Sequence, residues 1–238
     1  MLYLIGLGLN EKGITLEGLE AIKKCKKIYL ESYTVDFPYP ISKLEKVIKK
    51  KIIKLGRGDV ESDKLVKEAK KQNIALLVYG CPLFATTHVG LLMECEKNKV
   101  KTSVIYSASV FDAIAQTGLQ LYKFGKIISM PKWEKNFEPN SFLDSVKQNY
   151  SINTHSLILV DIGFSFNKAL EQLENASAKR GVKLEKILVC SSMGTANAKM
   201  FYGKISELKD KRIISPFCFI IPGEMHFIEQ ESVERFVV

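Results

Sequence analysis

Residues 74–88 read Ile-Ala-Leu-Leu-Val-Tyr-Gly-Cys-Pro-Leu-Phe-Ala-Thr-Thr-His. Six apolar or aromatic residues, Ile74–Tyr79, run without interruption into Gly80. A run this short and continuous is a strand covered on both faces. Pro82 then ends any regular pairing, and Thr86 or Thr87 can cap a helix reaching to about Asn98, with Leu91, Leu92 and Cys95 on one face. A buried strand, a glycine turn and a helix together make one unit of a parallel α/β sheet.

The same rhythm extends in both directions. Leu2–Leu9 is a second apolar strand ending in glycines. Thr15–Lys26 is a helix with Thr15 as its cap and Leu19, Ile22 and Cys25 on one face. Lys27–Ser32 and Ile52–Leu55 are extended, and Ile41–Lys50 and Ser62–Gln72 are helical. Thr102–Tyr106 is the next strand. These βα units predict a mostly parallel sheet covered on both faces. Beyond about residue 108 the rhythm changes. Val110–Gln116 and Ser141–Asn149 are expected as helices, and Pro131–Asn140 as a loop. Phe166, Ala169, Leu170 and Leu173 have helical spacing, and the last helix holds Ile228, Val233 and Phe236. Strands are expected at Ile127–Met130, Ser156–Ile162, Ile187–Cys190, Met200–Gly203 and Phe217–Ile221. No Gly/Ser linker separates the halves, so two abutting α/β domains, 1–108 and 109–238, are predicted.

Composition narrows the function classes. The 238 residues are 46% hydrophobic and 26% charged, as in an ordinary globular protein. No apolar run reaches the ~18 residues of a membrane helix, so no membrane association is expected. The N-terminal segment lacks a basic region and a small-residue cleavage site, which argues against a signal peptide. Five cysteines (Cys25, Cys81, Cys95, Cys190, Cys218) form no CxxC pair, and an odd number argues against a disulfide framework. A reducing, cytoplasmic setting is expected. His88, His155 and His226 are too scattered for a zinc site, so no metal is expected. The net charge of +9 comes from lysines spread over helices, as in Lys49–Lys50–Lys51, which is the pattern of a solvated surface rather than a nucleic-acid stripe.

Three loops could carry chemistry. Gly6-Leu7-Gly8-Leu9 follows the first strand, but Glu11 stands where the dinucleotide pattern GxGxxG needs its third glycine. A strand-to-loop turn also wants glycine for its own sake. Gly80–His88 follows the Ile74–Tyr79 strand, and its backbone N–H groups could hold a small carboxylate. His88 shares a face with Leu91 and Cys95, the position of a packed first-turn residue. Tyr106-Ser107-Ala108-Ser109-Val110-Phe111 ends the third strand, with Ser107 or Ser109 as the helix cap. In open α/β sheets ligands bind at the carboxyl ends of strands, so loops at one sheet edge can share one ligand. The spacing names no ligand.

Five stretches, MLYLIGLGL (1–9), GCPLFATTH (80–88), YSASVFDAIAQTGLQLYKFGK (106–126), HSLILVDI (155–162) and FIIPGEMHFIE (219–229), resemble the tetrapyrrole methylase family, the class III methyltransferases dependent on S-adenosylmethionine (SAM). Within it, TGLQLYKFG (117–125) and ATTH (85–88) point to the branch that acts in diphthamide biosynthesis. The resemblance implies two α/β domains with the cofactor in the cleft between them, SAM as cofactor with S-adenosylhomocysteine as product, and a homodimer. It implies repeated methylation of the amino group of a modified histidine on translation elongation factor 2, with no nucleic acid required. By position, the family's cofactor contacts fall on Leu9, Cys81, Phe84, Ser109, Val110, Val160, Met193 and Phe217. Cys81 replaces the family's acidic residue, Ser191–Met193 lacks its arginine, and Phe217 stands where a polar residue is usual. Methyl transfer to a neutral amine can rest on alignment, with water taking the proton, so no obligatory catalytic side chain is expected; Tyr33, His88 and Tyr122 are candidates for orienting the acceptor, with a packing role the favoured reading for each. An RNA or tetrapyrrole methylase of the same fold and a non-catalytic binding protein are the alternatives.

Overall fold

The computed structural model describes residues 1–84 and 86–238 and divides into two compact units, Met1–Asp112 and Ala113–Val238. Ala85 of the ATTH stretch lies outside the described residues. The split follows Asp112, within a few residues of the expected boundary at 108.

The first unit holds β1 (Leu2–Gly6), α1 (Leu16–Lys23), β2 (Lys27–Glu31), α2 (Ile41–Ile48), β3 (Ile52–Leu55), α3 (Arg57–Val60), α4 (Lys64–Ala69), β4 (Ile74–Val78), α5 (His88–Lys97), β5 (Thr102–Ile105) and the start of α6 (Val110–Ala113). Its five strands pair only in parallel, in the order β3-β2-β4-β1-β5. Strand side chains alternate between the faces. Leu2, Leu4, Leu76 and Val78 pack with Leu65, Leu91 and Cys95 of α4 and α5. Ile5, Ala75 and Leu77 pack with Ile22, Leu44 and Ile48 of α1 and α2. Two covered faces are why β1 and β4 read as unbroken apolar runs. Parallel pairing also sends every strand's carboxyl end, and hence the loops after β1, β4 and β5, to one sheet edge.

The second unit contains β6 (Ile128–Met130), α7 (Phe142–Ser151), β7 (Ser156–Val160), α8 (Phe166–Arg180), β8 (Ile187–Ser191), β9 (Lys199–Gly203), α9 (Ile205–Leu208), β10 (Phe217–Ile221) and α10 (Phe227–Glu234). Its sheet order is β6-β7-β10-β8-β9. Only β6 and β7 pair in parallel; the pairs of β10 with β7 and β8, and of β8 with β9, are antiparallel. The short connection from Ser191 to Lys199 has no room for a crossover helix, so β9 returns antiparallel. Ile158, Val189, Phe219 and Ile221 form a core with Leu143 and Val146 of α7 and Leu170 and Leu173 of α8. The outer side of β9 is paired too: Tyr202 N donates to Phe236 O at 2.7 Å, and Val238 N donates to Tyr202 O at 3.3 Å.

Three local expectations change. The helix expected over Ser62–Gln72 begins at Lys64, and a separate helical turn, α3, precedes it. The Ser62 hydroxyl donates to Asp59 O at 2.8 Å and accepts from Lys64 N at 3.3 Å, closing one helix and opening the next. The helix expected over Val110–Gln116 is one α turn followed by a 3-10 turn, Ile114–Thr117. There the Thr117 hydroxyl donates to Ile114 O at 2.7 Å, a local bond that competes with a continuing helix. Lys50 lies within the lysine run expected to be solvated, yet its Nζ donates to Ile22 O at 2.8 Å and Cys25 O at 2.5 Å. It adds a charged donor to carbonyls at the end of α1.

Buried Glu229 organises the second unit. It accepts from Gln120 N at 2.8 Å, His226 N at 2.8 Å, the Lys123 ammonium, and His155 Nε2, 3.1 Å away. Gly223 N donates to His155 Nδ1 at 3.0 Å, so the proton of the neutral ring sits on Nε2 and points at Glu229. Burial alone would raise the Glu229 pKa. The Gln120 amide, Lys123, the His226 amide and His155 outweigh it and hold the carboxyl down to about 2. Burial pushes the His155 pKa down, which keeps that ring neutral. Glu229→Ala would strand these donors and is expected to cost about 3–5 kcal/mol in urea unfolding. Because the folded pKa lies below the ordinary 4.5, this stabilisation is present above about pH 4.5 and is lost as pH falls toward 2. Unfolding midpoints followed across that range should drop in the wild-type protein and stay flatter in Glu229→Ala.

Candidate functional site

The three strand-end loops of the first unit meet. Gly8 N donates to Gly80 O at 3.2 Å and Gly80 N donates to Gly8 O at 2.9 Å, so the loops after β1 and β4 are tied backbone to backbone beyond the sheet. Both glycines sit at positive φ, +65° for Gly8 and +74° for Gly80, the region a Cβ penalises. Gly6 passes so close to the neighbouring loop that an added Cβ would lie 2.7 Å from Gly80 O and 3.0 Å from Ser107 Cβ. From the β5 loop, the Ser107 hydroxyl donates to Gly13 O at 2.8 Å. The Tyr79 hydroxyl donates to Leu9 O at 3.0 Å and fixes that carbonyl.

Five of the residues expected to touch a cofactor therefore belong to one loop cluster. Leu9 and Cys81 are both 6% exposed and Ser109 is 3% exposed. Ser109 Oγ accepts from Phe111 N at 3.2 Å and donates to Asp112 Oδ2 at 3.0 Å, so Ser109, not Ser107, is the helix cap. Phe84 is half exposed and meets Phe111 edge to face with 5.2 Å between ring centroids, beside Val110. An added Cβ at Gly80 would meet Ser109 at 3.7 Å, an ordinary packing contact that ties this turn to the β5 loop as well. The cluster thus offers a half-exposed aromatic surface at Phe84 beside tightly tied loop backbones.

In the second unit the other three expected residues share one edge of the sheet. Val160 ends β7, and Phe217 begins β10 opposite Ser191 at the end of β8, so Met193 follows at the same edge. Ser192 N donates to Pro216 O at 2.8 Å, and the Ser191 hydroxyl donates to Ile214 O at 2.7 Å. Phe217 lies 5.6 Å from Phe166 and 5.7 Å from Phe219, ring centre to ring centre, which gives it a packing role of its own.

The remaining candidates differ in setting. His88 opens α5 at 1% exposure, on the face of Leu91 and Cys95, and burial pushes its imidazole pKa down, with Glu61 opposing. Thr87 stands at the cap position, but its hydroxyl donates to Glu61 at 3.3 Å instead of capping the helix. Tyr122 is 82% exposed in the second unit. The Tyr79–Leu9 bond, the Ser107–Gly13 bond and the Asp112 clamp on Ser109 were not foreseen. Only Asp112 had a sequence signal, the Ser-x-x-Asp spacing of a capping box.

The family model described as "Tetrapyrrole (Corrin/Porphyrin) Methylases" matches residues 1–209. The chain is 39% identical to a diphthine synthase of Methanocaldococcus jannaschii over 98% of each chain. It is 46% identical to a diphthine methyl ester synthase of Schizosaccharomyces pombe, over 100% of this chain and 95% of the relative. A solved structure of a diphthine synthase superposes with a TM-score of 0.90 at 29% identity, covering 99% of this chain and 95% of that one.

Gly6→Ala forces a methyl group against the Gly80 carbonyl and should lower stability by about 1–3 kcal/mol in thermal or urea unfolding. Ser109→Ala removes the cap and the hydroxyl's bond to Asp112 while the Ser109 amide keeps its own, and should cost about 1 kcal/mol in the same measurement.

Proposed function

The chain belongs to the tetrapyrrole methylase family, and we propose that it is a diphthine synthase: it transfers methyl groups from SAM to the amino group of a modified histidine on translation elongation factor 2. The single observation that carries this reading is full-length similarity to relatives bearing that activity in their names, on a chain whose strand-end loops are tied together as a ligand floor. RNA and tetrapyrrole substrates are not favoured, since the relatives matched over the whole length are named for diphthine chemistry.

The loop cluster suits the proposed donor. The Phe84–Phe111 pair offers an apolar face for an aromatic base, and the loop backbone from Gly80 offers donors and acceptors for polar groups. Leu9, Cys81, Phe84, Ser109 and Val110 are the proposed cofactor contacts of the first unit; Val160, Met193 and Phe217, at one sheet edge of the second unit, are proposed as cofactor contacts from the family resemblance. The loss of the family's acid at Cys81 leaves backbone contacts intact.

Bound SAM would supply an electrophilic methyl group on a sulfonium. Methyl transfer needs a neutral amine in line with that group, and alignment of two substrates can supply most of the acceleration. The chain's part is then to orient the donor against rigid loops, to exclude water from it, and to let the amine lose its proton to solvent. Positive charge in excess, 35 Lys and Arg against 26 Asp and Glu, suits docking of an acidic protein partner. We propose a cytoplasmic homodimer; the five cysteines are all free and buried, in keeping with a reducing compartment. Among the described residues no helix is long and apolar enough to cross a membrane.

Incubation with labelled SAM and elongation factor 2 carrying the unmethylated precursor should label the factor. Absence of label, with SAM bound normally in calorimetry, would redirect the reading to other acceptors. No binding of SAM at millimolar concentration would remove the enzyme reading. Because the relatives carry two names, one for an ester, mild alkali distinguishes the products: it releases label from a methyl ester and leaves label on a quaternary amine. Phe84→Ala should weaken SAM binding about ten-fold in calorimetry with little change in stability.

A further inference from the structure

Buried polar side-chain atoms without a hydrogen-bond partner among the described residues are concentrated at one place in the first unit. Five of seven belong to the loops after β2 and β4: Glu31 Oε2, Tyr33 Oη, Thr86 Oγ1 and both ring nitrogens of His88. A folded protein pairs nearly all such atoms, and each unpaired one costs about 1–3 kcal/mol. Clustered unpaired groups call for an explanation, and a functional site is one.

The surroundings define the site. Glu31, at 0% exposure, ends β2; its carboxylate accepts from the Thr34 hydroxyl and from the Tyr33 and Thr34 amides, while Oε2 has no partner among the described residues. Arg57 lies 5.4 Å over the Tyr33 ring and 3.9 Å from Glu61. His88 lines a hollow of about 360 Å³ together with Thr87 and the carboxylates of Glu61, Asp63 and Glu94. Arg57, Lys67 and Lys97 pair with those three acids and temper the hollow's negative charge. In the sheet order β2 stands directly beside β4 on the side away from β1, with β3 beyond it, so the loop after β2 flanks the loop after β4 on that side.

We propose that Glu31, Tyr33, Thr86 and His88 form the acceptor pocket, which takes the amine- and imidazole-bearing head of the substrate beside the donor loop. This rests on the methyltransferase reading above and adds to it where the second substrate sits. The chemistry matches. A neutral imidazole presents one donor and one acceptor, the two hydroxyls serve either way, and the carboxylate only accepts. That mixture suits a head group that carries N–H donors and a ring nitrogen.

The test uses the property that identified the site. Removing a partnerless buried polar group should not weaken the free protein, while removing a substrate contact should slow the reaction. Tyr33→Phe and His88→Leu are expected to keep or raise Tm and to keep the SAM affinity. Each should lower kcat/KM for elongation factor 2 carrying the unmethylated precursor by about ten-fold or more. Wild-type kcat/KM in both variants overturns the proposal. So does a loss of activity that follows a fall in Tm and in SAM affinity in both, because the groups would then be structural. If the unaltered protein itself leaves the factor unmethylated while binding SAM, the function reading fails first and the pocket goes with it.

Discussion

The reciprocal backbone pair between Gly8 and Gly80 is the constraint on which the first unit's site depends. A parallel sheet delivers its loops to one edge, but it does not hold them there. Two hydrogen bonds beyond the last ladder rungs join the loops after β1 and β4, at 2.9 and 3.2 Å. Each strand can therefore place its following residues, Leu9 on one side and Cys81 on the other, relative to a shared backbone. The bond pair requires positive φ on both sides, which explains glycine at these positions without invoking a phosphate cradle. It also explains why Glu11 can replace the third glycine of the dinucleotide pattern: the loops serve each other's backbone before they serve a ligand.

Much of this was legible in the sequence. The apolar runs of β1 and β4 and the capped helix after Thr15 were plain, because double burial and a helix cap each leave a local signature. Thr15 Oγ1 accepts from Gly18 N at 3.1 Å as expected. Convergence of the loops followed from strand order alone. What stayed hidden was long-range. Nothing local marks Tyr79 as the holder of the Leu9 carbonyl, 70 residues earlier in the chain. Lys50 looked like one of three solvated lysines, since its role depends on where α1 ends. The antiparallel character of the second sheet was equally hidden, because it follows from pairing rather than from any strand's composition.

The stretch that most specifically carried the family resemblance, TGLQLYKFG, turns out to be largely structural. Gln120 and Lys123 supply two of the donors to Glu229, and Phe124 stacks edgewise on His155 at 5.3 Å. The PGEMHFIE stretch supplies the acceptor itself. Two motifs far apart in sequence are thus the halves of one buried charge network. A diagnostic motif can mark how a branch of a family is built rather than what it binds.

The backbone pairing along the outer side of β9 has a consequence for life at high protein concentration. An antiparallel sheet with an open edge strand invites a neighbour's strand to add to it. Phe236 and Val238 occupy the hydrogen-bonding groups of Tyr202, so this edge is closed by the chain itself. Loosening those last few residues would uncover a ladder ready to recruit another copy. A segment remote from every candidate binding residue thereby guards the protein's colloidal behaviour, and its loss would show first as aggregation rather than as a change in affinity or turnover.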